Sequence, residues 1–154
     1  MSLALHQHEG KAVWALGELH IWKATGADTG GQYALMEDLV AAGGEPPPHV
    51  HHNEDEAFYV LSGEVTFQLG EQEFSATQGA FVFGPRGVPH AFRVTSAEPA
   101  RMLVIVSPSG FDDFSAELGK PAGALTLPPA EAPDFEKLAR LTQKYRIDIL
   151  PPPA

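Results

Sequence analysis

Residues 43–63 read GGEPPPHVHHNEDEAFYVLSG, and residues 79–90 read GAFVFGPRGVPH. His49 and His51 alternate along an extended segment, so their imidazoles leave the same face of a strand. An acidic run, Glu54, Asp55 and Glu56, follows after a short turn. His90 arrives from a second strand, behind a loop shaped by Pro85 and Gly87. Three neutral imidazoles with one carboxylate suit a single divalent transition metal: Fe, Mn, Ni, Cu, Co or Zn. Four protein ligands leave one or two positions open on a five- or six-coordinate ion, which separates a working site from a closed structural one.

Outward from these stretches the chain reads as β-structure. Short apolar runs lie at 57–61, 65–69, 73–76, 80–83, 90–95 and 101–106, separated by Gly, Pro, Asn or acidic breaks. Residues 13–24 and 32–41 add further strands, with 26–31 (GADTGG) as a turn between them. Many short strands at near-regular spacing argue for an all-β sandwich or barrel. Residues 62–76 form a hairpin with LGEQ at its tip. After residue 107 the pattern changes. Ser109 is placed to cap a short helix with Phe111, Phe114 and Leu118 on one face. A Pro/Ala/Gly-rich linker, 120–133, leads to a second helix with Asp134 as its N-cap and Phe135, Leu138, Leu141 and Tyr145 as its apolar stripe. The end, IDILPPPA, reads as an extended tail. The expected organisation is a barrel over 1–110, with 111–154 as a helical extension packed on it.

The bulk numbers fit one domain. The chain has 154 residues, 44% hydrophobic and 19% charged, enough to bury a full core. Its lack of cysteine excludes disulfides, thiolate metal sites and cysteine nucleophiles. A formal net charge of -10 and no Lys/Arg cluster argue against nucleic acid and anionic membranes as partners. The opening MSLALHQHEG is too short an apolar run for a signal peptide, so the cytoplasm is the expected location.

These residues resemble the cupin superfamily. The first cupin motif, G-x5-H-x-H-x3-4-E-x6-G, is met by Gly43, His49, His51, Glu56 and Gly63. The second, G-x5-P-x-G-x2-H-x3-N, is met by Gly79, Pro85, Gly87 and His90, with Val94 in place of the final Asn. That Asn is not a metal ligand in the family. The resemblance implies a double-stranded β-helix, the cupin jelly-roll barrel, followed here by short C-terminal helices. It implies His49, His51, Glu56 and His90 as ligands of one metal, and so selects Glu56 from the acidic run. Glu54 and Asp55 then read as a solvated turn, and His52 as surface. His6 and His8 belong to the terminus, and His20 reads as a hydrogen-bonded structural histidine.

Within the superfamily, PPHVHHNEDEAFYVLSGE is most similar to the quercetin 2,3-dioxygenase-like group, whose members open a flavonol ring with O2. That likeness implies a small aromatic or enolisable substrate, with Glu56 as the catalytic residue that accepts its hydroxyl proton. The aromatics Phe58, Phe67, Phe81, Phe83 and Phe92 are expected in the core or along a cavity. Alternation from Glu56 and His90 turns Phe58 and Phe92 inward, and Met36 is a further lining candidate. The same motifs serve isomerases and decarboxylases, so a non-redox reaction is the alternative, as is a barrel that binds a small molecule without catalysis. Small cupins are commonly homodimers, and a homodimer is expected.

Overall fold

The computed structural model describes residues 2–151; residues 1 and 152–154, at the ends of the expected terminal segments, lie outside the described residues. The strands are β1 (Lys11–Ala15), β2 (Glu18–Ala24), β3 (Ala34–Val40), β4 (His49–His51), β5 (Asp55–Ser62), β6 (Val65–Leu69), β7 (Gln72–Ala76), β8 (Phe81–Gly84), β9 (His90–Val94), β10 (Ala100–Ser107), β11 (Lys120–Pro121) and β12 (Ile147–Ile149). The helices are α1 (Gly26–Thr29), α2 (Phe111–Leu118) and α3 (Phe135–Lys144). No helix among the described residues is long and apolar enough to cross a membrane.

Two antiparallel sheets face one another, ordered β11-β1-β2-β3-β10-β5-β8 and β12-β4-β9-β6-β7. This is the double-stranded β-helix with short helices, as the motifs imply. Alternation builds its interior. Ala34, Met36, Asp38 and Val40 of β3 are buried, as are Glu56, Phe58 and Val60 of β5, His90, Phe92 and Val94 of β9, and alternate residues of β10. The inward face of each strand thus carries apolar residues and site residues in one register. Phe58, Phe67 and Phe92 form an aromatic cluster with ring centres 4.9–6.2 Å apart. Burying each such ring contributes roughly 1.5–3 kcal/mol, which helps offset the polar groups held beside them.

Connections follow the turn chemistry of the sequence. Gly63 joins β5 to β6 at φ 89°, and a Cβ there would come within 2.9 Å of the Ala100 backbone. Only glycine accepts both demands. The β6–β7 hairpin pairs Leu69 with Gln72 at its tip, as expected.

Several expectations need correction. Phe81 and Phe83 point outward, 66% and 47% exposed, because β8 turns Val82 and Gly84 to the interior opposite Phe58 and Glu56. The 26–31 turn contains α1. Ser109 does not cap α2; Gly110 occupies that position, and Asp112 accepts the Gly110 N–H instead. Phe135 is 72% exposed because α3 starts before its apolar stripe reaches the barrel, and Leu141 carries the burial. Asp134 does cap α3, accepting the Lys137 N–H at 3.0 Å. The tail is not merely extended: β12 pairs with β4 at the edge of one sheet, and β11 adds an edge strand to the other. Residues 111–151 therefore complete both sheets.

Candidate metal centre

Strand β4 is three residues long and is held on both sides. His49 pairs with His90 of β9, while Ile147 and Ile149 of β12 pair with His51 and His49. The loop before β9 is tied to the same strand, since Gly87 donates its N–H to the carbonyl of His51 at 2.8 Å. Opposite, Glu56 enters from β5 beside Gly84. Gly84 lies against the His90 ring, where a Cβ would stand 3.4 Å from Nδ1, in van der Waals contact.

The four residues implied by the motifs come together. Ligand atoms of His49, His51, Glu56 and His90 lie within 4.8 Å of one another. The ring centres are 4.4 Å apart for His49 and His90, 4.9 Å for His49 and His51, and 5.4 Å for His51 and His90. His49 Nδ1 donates to the Pro47 carbonyl at 3.0 Å, leaving Nε2 for the centre. His51 Nδ1 meets Glu54 Oε1 at 2.6 Å, which likewise frees its Nε2.

The centre is polar but unsatisfied. His51 Nε2, Glu56 Oε2 and both ring nitrogens of His90 are buried without a hydrogen-bond partner. Glu56 Oε2 sits 2.8 Å from His51 Nε2 and 3.5 Å from His90 Nε2, close but not aligned for hydrogen bonding. Buried polar atoms are nearly always paired, so convergent orphans ask for a partner. A cation fits that demand, and the donor set of imidazoles and carboxylate fits a divalent transition metal.

Electrostatics divides the histidines. Burial, reinforced by the charges of His90 and His51, lowers the His49 pKa to about 4. Burial works the same way on His51, yet Glu56 and Glu54 outweigh it and raise the pKa to about 10. Burial would raise Glu56, but the charge and contacts of His51, with those of His90, hold it well below the usual carboxylate range.

An apolar pocket opens onto this group. His49, His51 and Glu56 form part of its wall, with Phe58 and Phe92, which alternation turns inward, and Met36. Phe111 and Phe114 of α2 and Leu138 of α3 also line it, so the C-terminal helices shape the cavity. Sequence reading missed Glu54, which is 3% exposed and bonded to His51 rather than solvated. It also missed Glu18 and Asp38, which line the same pocket. Both lie on inward positions of apolar strands, a signal that alternation could have supplied. Asp55 does lie at the surface, paired with Arg86 at 3.1 Å. His52 pairs with Asp148 at 2.8 Å near the surface, and His20 is buried and hydrogen-bonded.

Fold and site together define a double-stranded β-helix barrel with a candidate metal centre in its interior. Residues 36–106 match the family model described as Cupin_2, the cupin domain. That match runs from β3 to β10, a little under half of the chain, and the solved structures similar to this chain share its fold. An uncharacterized protein of Streptomyces coelicolor is 37% identical over 57 residues, covering 37% of this chain and 53% of its own length. The chain thus spans about half of that relative. Among solved structures, the polyketide cyclase RemF from Streptomyces resistomycificus is 27% identical, with TM-score 0.60, over 71% of this chain and 81% of that one. KdgF from a Halomonas species shares the fold at 16% identity and TM-score 0.62, over 73% of this chain and 98% of that one.

Proposed function

We propose that this barrel is a metal-dependent enzyme acting with O2 on a small hydroxylated aromatic or enolisable substrate, in the manner of the dioxygenase-like cupins. The observation that carries the reading is the apolar, aromatic-lined pocket that ends on the unsatisfied His49–His51–Glu56–His90 group. His49, His51, Glu56 and His90 would hold the metal. A bound divalent metal supplies Lewis acidity toward a substrate hydroxyl and, for redox-active ions, electron exchange.

The chain's own residues do the rest. Glu56 Oε2 is a buried acceptor without a hydrogen bond, which supports it as the group that takes the substrate hydroxyl proton. Glu54 fixes His51 in one tautomer, and the Pro47 carbonyl does the same for His49. Phe58, Phe92 and Met36 offer a flat ring apolar contact and keep water from it. The test is O2 uptake by protein reconstituted with each of Fe, Mn, Ni, Cu, Co and Zn, using flavonols and catechols. Uptake in at least one metal form is expected. Glu56→Gln should abolish turnover while keeping much of the metal.

A second reading, non-redox cyclisation, isomerisation or decarboxylation, gains support from the likeness to a polyketide cyclase. Product formation without O2 loss would select it. Ligand binding with no product would leave a small-molecule-binding barrel. The expected homodimer belongs to the same proposal. Tyr59, Phe81 and Phe83 are exposed together where β5 pairs with β8, an apolar patch suited to self-association. Light scattering on Phe81→Asp tests it, with a shift to monomer expected.

A further inference from the structure

The pocket has a second polar wall. Glu18 and His20 stand on β2 and Asp38 on β3, where the register sets His20 opposite Asp38. All three are buried, Asp38 to 2% exposure, and Glu18 and Asp38 line the pocket that also holds His49, His51 and Glu56. Phe111 stands between the two groups, its ring centre 5.4 Å from His51 and 6.2 Å from His20.

Hydrogen-bond donors are scarce there. His20 Nε2 lies 2.9 Å from Glu18 Oε1 and 3.8 Å from Asp38 Oδ1. Its Nδ1 lies 2.7 Å from Ser115 Oγ, which also accepts the Trp22 indole N–H at 3.2 Å. Two carboxyl groups around Nε2 assign the ring hydrogen to that nitrogen, so the Ser115 hydroxyl donates to Nδ1. One hydrogen from His20 therefore reaches the carboxyl pair, and Glu18 Oε1 takes it; the two carboxyl groups also meet each other, protonated Asp38 donating to Glu18. Asp38 Oδ1 is buried with no partner. Among the described residues no Lys or Arg is buried to neutralise the pair. The neighbouring strands present Val13 and Met102 at the paired positions, α2 presents Ser115, and the titratable groups on the facing pocket wall are Glu56, His49 and His51. Two bare anions in that setting are costly, whereas two carboxyl groups that keep their protons share one between them and leave one O–H to donate into the pocket.

We propose that Glu18 and Asp38, oriented by His20, form a hydrogen-bond-donating subsite for an uncharged oxygen of the substrate, such as a ketone or amide carbonyl. The inference rests on the enzyme reading above and narrows its substrate. The ligand presents a hydroxyl to the His49–His51–Glu56–His90 group, an apolar body to Phe58, Phe92 and Phe111, and a neutral carbonyl to Glu18 and Asp38. A carboxylate at that end is refused. Protonation agrees with the geometry: burial raises Glu18 to about 8, and burial followed by the Glu18 charge raises Asp38 well above the usual range. Burial lowers His20, which stays neutral.

Calorimetry on the metal-loaded full chain tests this with phenol, 4-hydroxyacetophenone and 4-hydroxybenzoate, metal content being measured alongside. At neutral pH the ketone should bind roughly tenfold more tightly than phenol, the value of one good hydrogen bond, and the carboxylate no more tightly. Glu18→Gln, which keeps a donor, should retain the ketone preference; Glu18→Ala paired with Asp38→Ala should lose it. Raising the pH through about 8 should erode the preference more in the wild-type protein than in Glu18→Gln, the ligands' own titrations cancelling in the difference between the two proteins. A para carbonyl that makes no difference overturns the subsite while leaving the enzyme reading intact. Failure of phenol itself to bind overturns both. Two metals per chain falling to one in Glu18→Gln would make the cluster a cation site and overturn the proposal.

Discussion

Nδ1 of His51 and Oε1 of Glu54 stand 2.6 Å apart, both buried, although the two residues are only three apart in the chain. The contact converts an acidic turn into part of the site. It holds the imidazole so that Nε2 faces Glu56 and His90, and it makes that nitrogen more basic. Carboxylates that orient metal-ligating histidines act this way and affect affinity without touching the ion.

Glu54→Gln should therefore weaken metal binding by roughly 10-fold or more while leaving the fold intact. Competition with a chelator of known affinity measures it. Unchanged affinity would reduce Glu54 to a buried hydrogen-bonding group of the turn.

Metal loading should release protons. In the metal-free protein His51 holds its proton up to a pKa of about 10, whereas His49, at about 4, is already neutral. Ligation requires neutral imidazole, so binding at neutral pH should expel about one proton per chain. Release should shrink as the pH passes about 10. An indicator dye in weak buffer reads the count, and zero release at neutral pH would contradict the pairing of His51 with Glu54 and Glu56.

Glu18 makes stability depend on pH in the opposite sense to an ordinary surface carboxylate. Its pKa rises from 4.5 to about 8 on folding, so the stabilising form is the protonated one. That contribution is complete below 4.5 and is lost as the pH climbs to about 8, up to about 5 kcal/mol in all. Glu18→Gln should flatten this decline. Urea unfolding of both proteins across the range isolates Glu18 together with its coupling to Asp38, because titrations remote from the pair cancel in the difference. Parallel curves would count against it.

Phe111 packs its ring near His20, Trp22, His51 and Phe114. Phe111→Ala should cost about 3 kcal/mol of stability through the cavity it leaves. A loss below about 1 kcal/mol would mean that α2 collapses into the gap or contributes little.

Ending the chain after Tyr145 removes β12, which pairs with His49 and His51. The short β4 strand then loses one of its two partners, and its backbone groups lose their bonds. Metal affinity should fall by roughly tenfold, as expected when the support of a ligand is lost. Full affinity in the truncated protein would show that β9 alone suffices.

Sequence alone determined the barrel and which four polar side chains converge inside it. Period-two alternation and Gly/Pro punctuation define strands locally, and motif spacing places His49, His51, Glu56 and His90 at fixed intervals along them. Alternation from Glu56 and His90 also oriented Phe58 and Phe92 toward the pocket that the structure shows. Tertiary structure decided the remainder. Whether Phe81 or Val82 faces inward depends on the pairing of β8 with β5, since one residue of register reverses every side chain. Glu54 looked solvated because its partner His51 is fixed only when β4 is clamped between β9 and β12. Glu18, Asp38 and Ser115 are separated by up to 97 positions in the chain, and only sheet pairing and the docking of α2 bring them to one wall. Local pattern fixes which face of a strand a residue occupies relative to its neighbours; long-range packing fixes what that face meets.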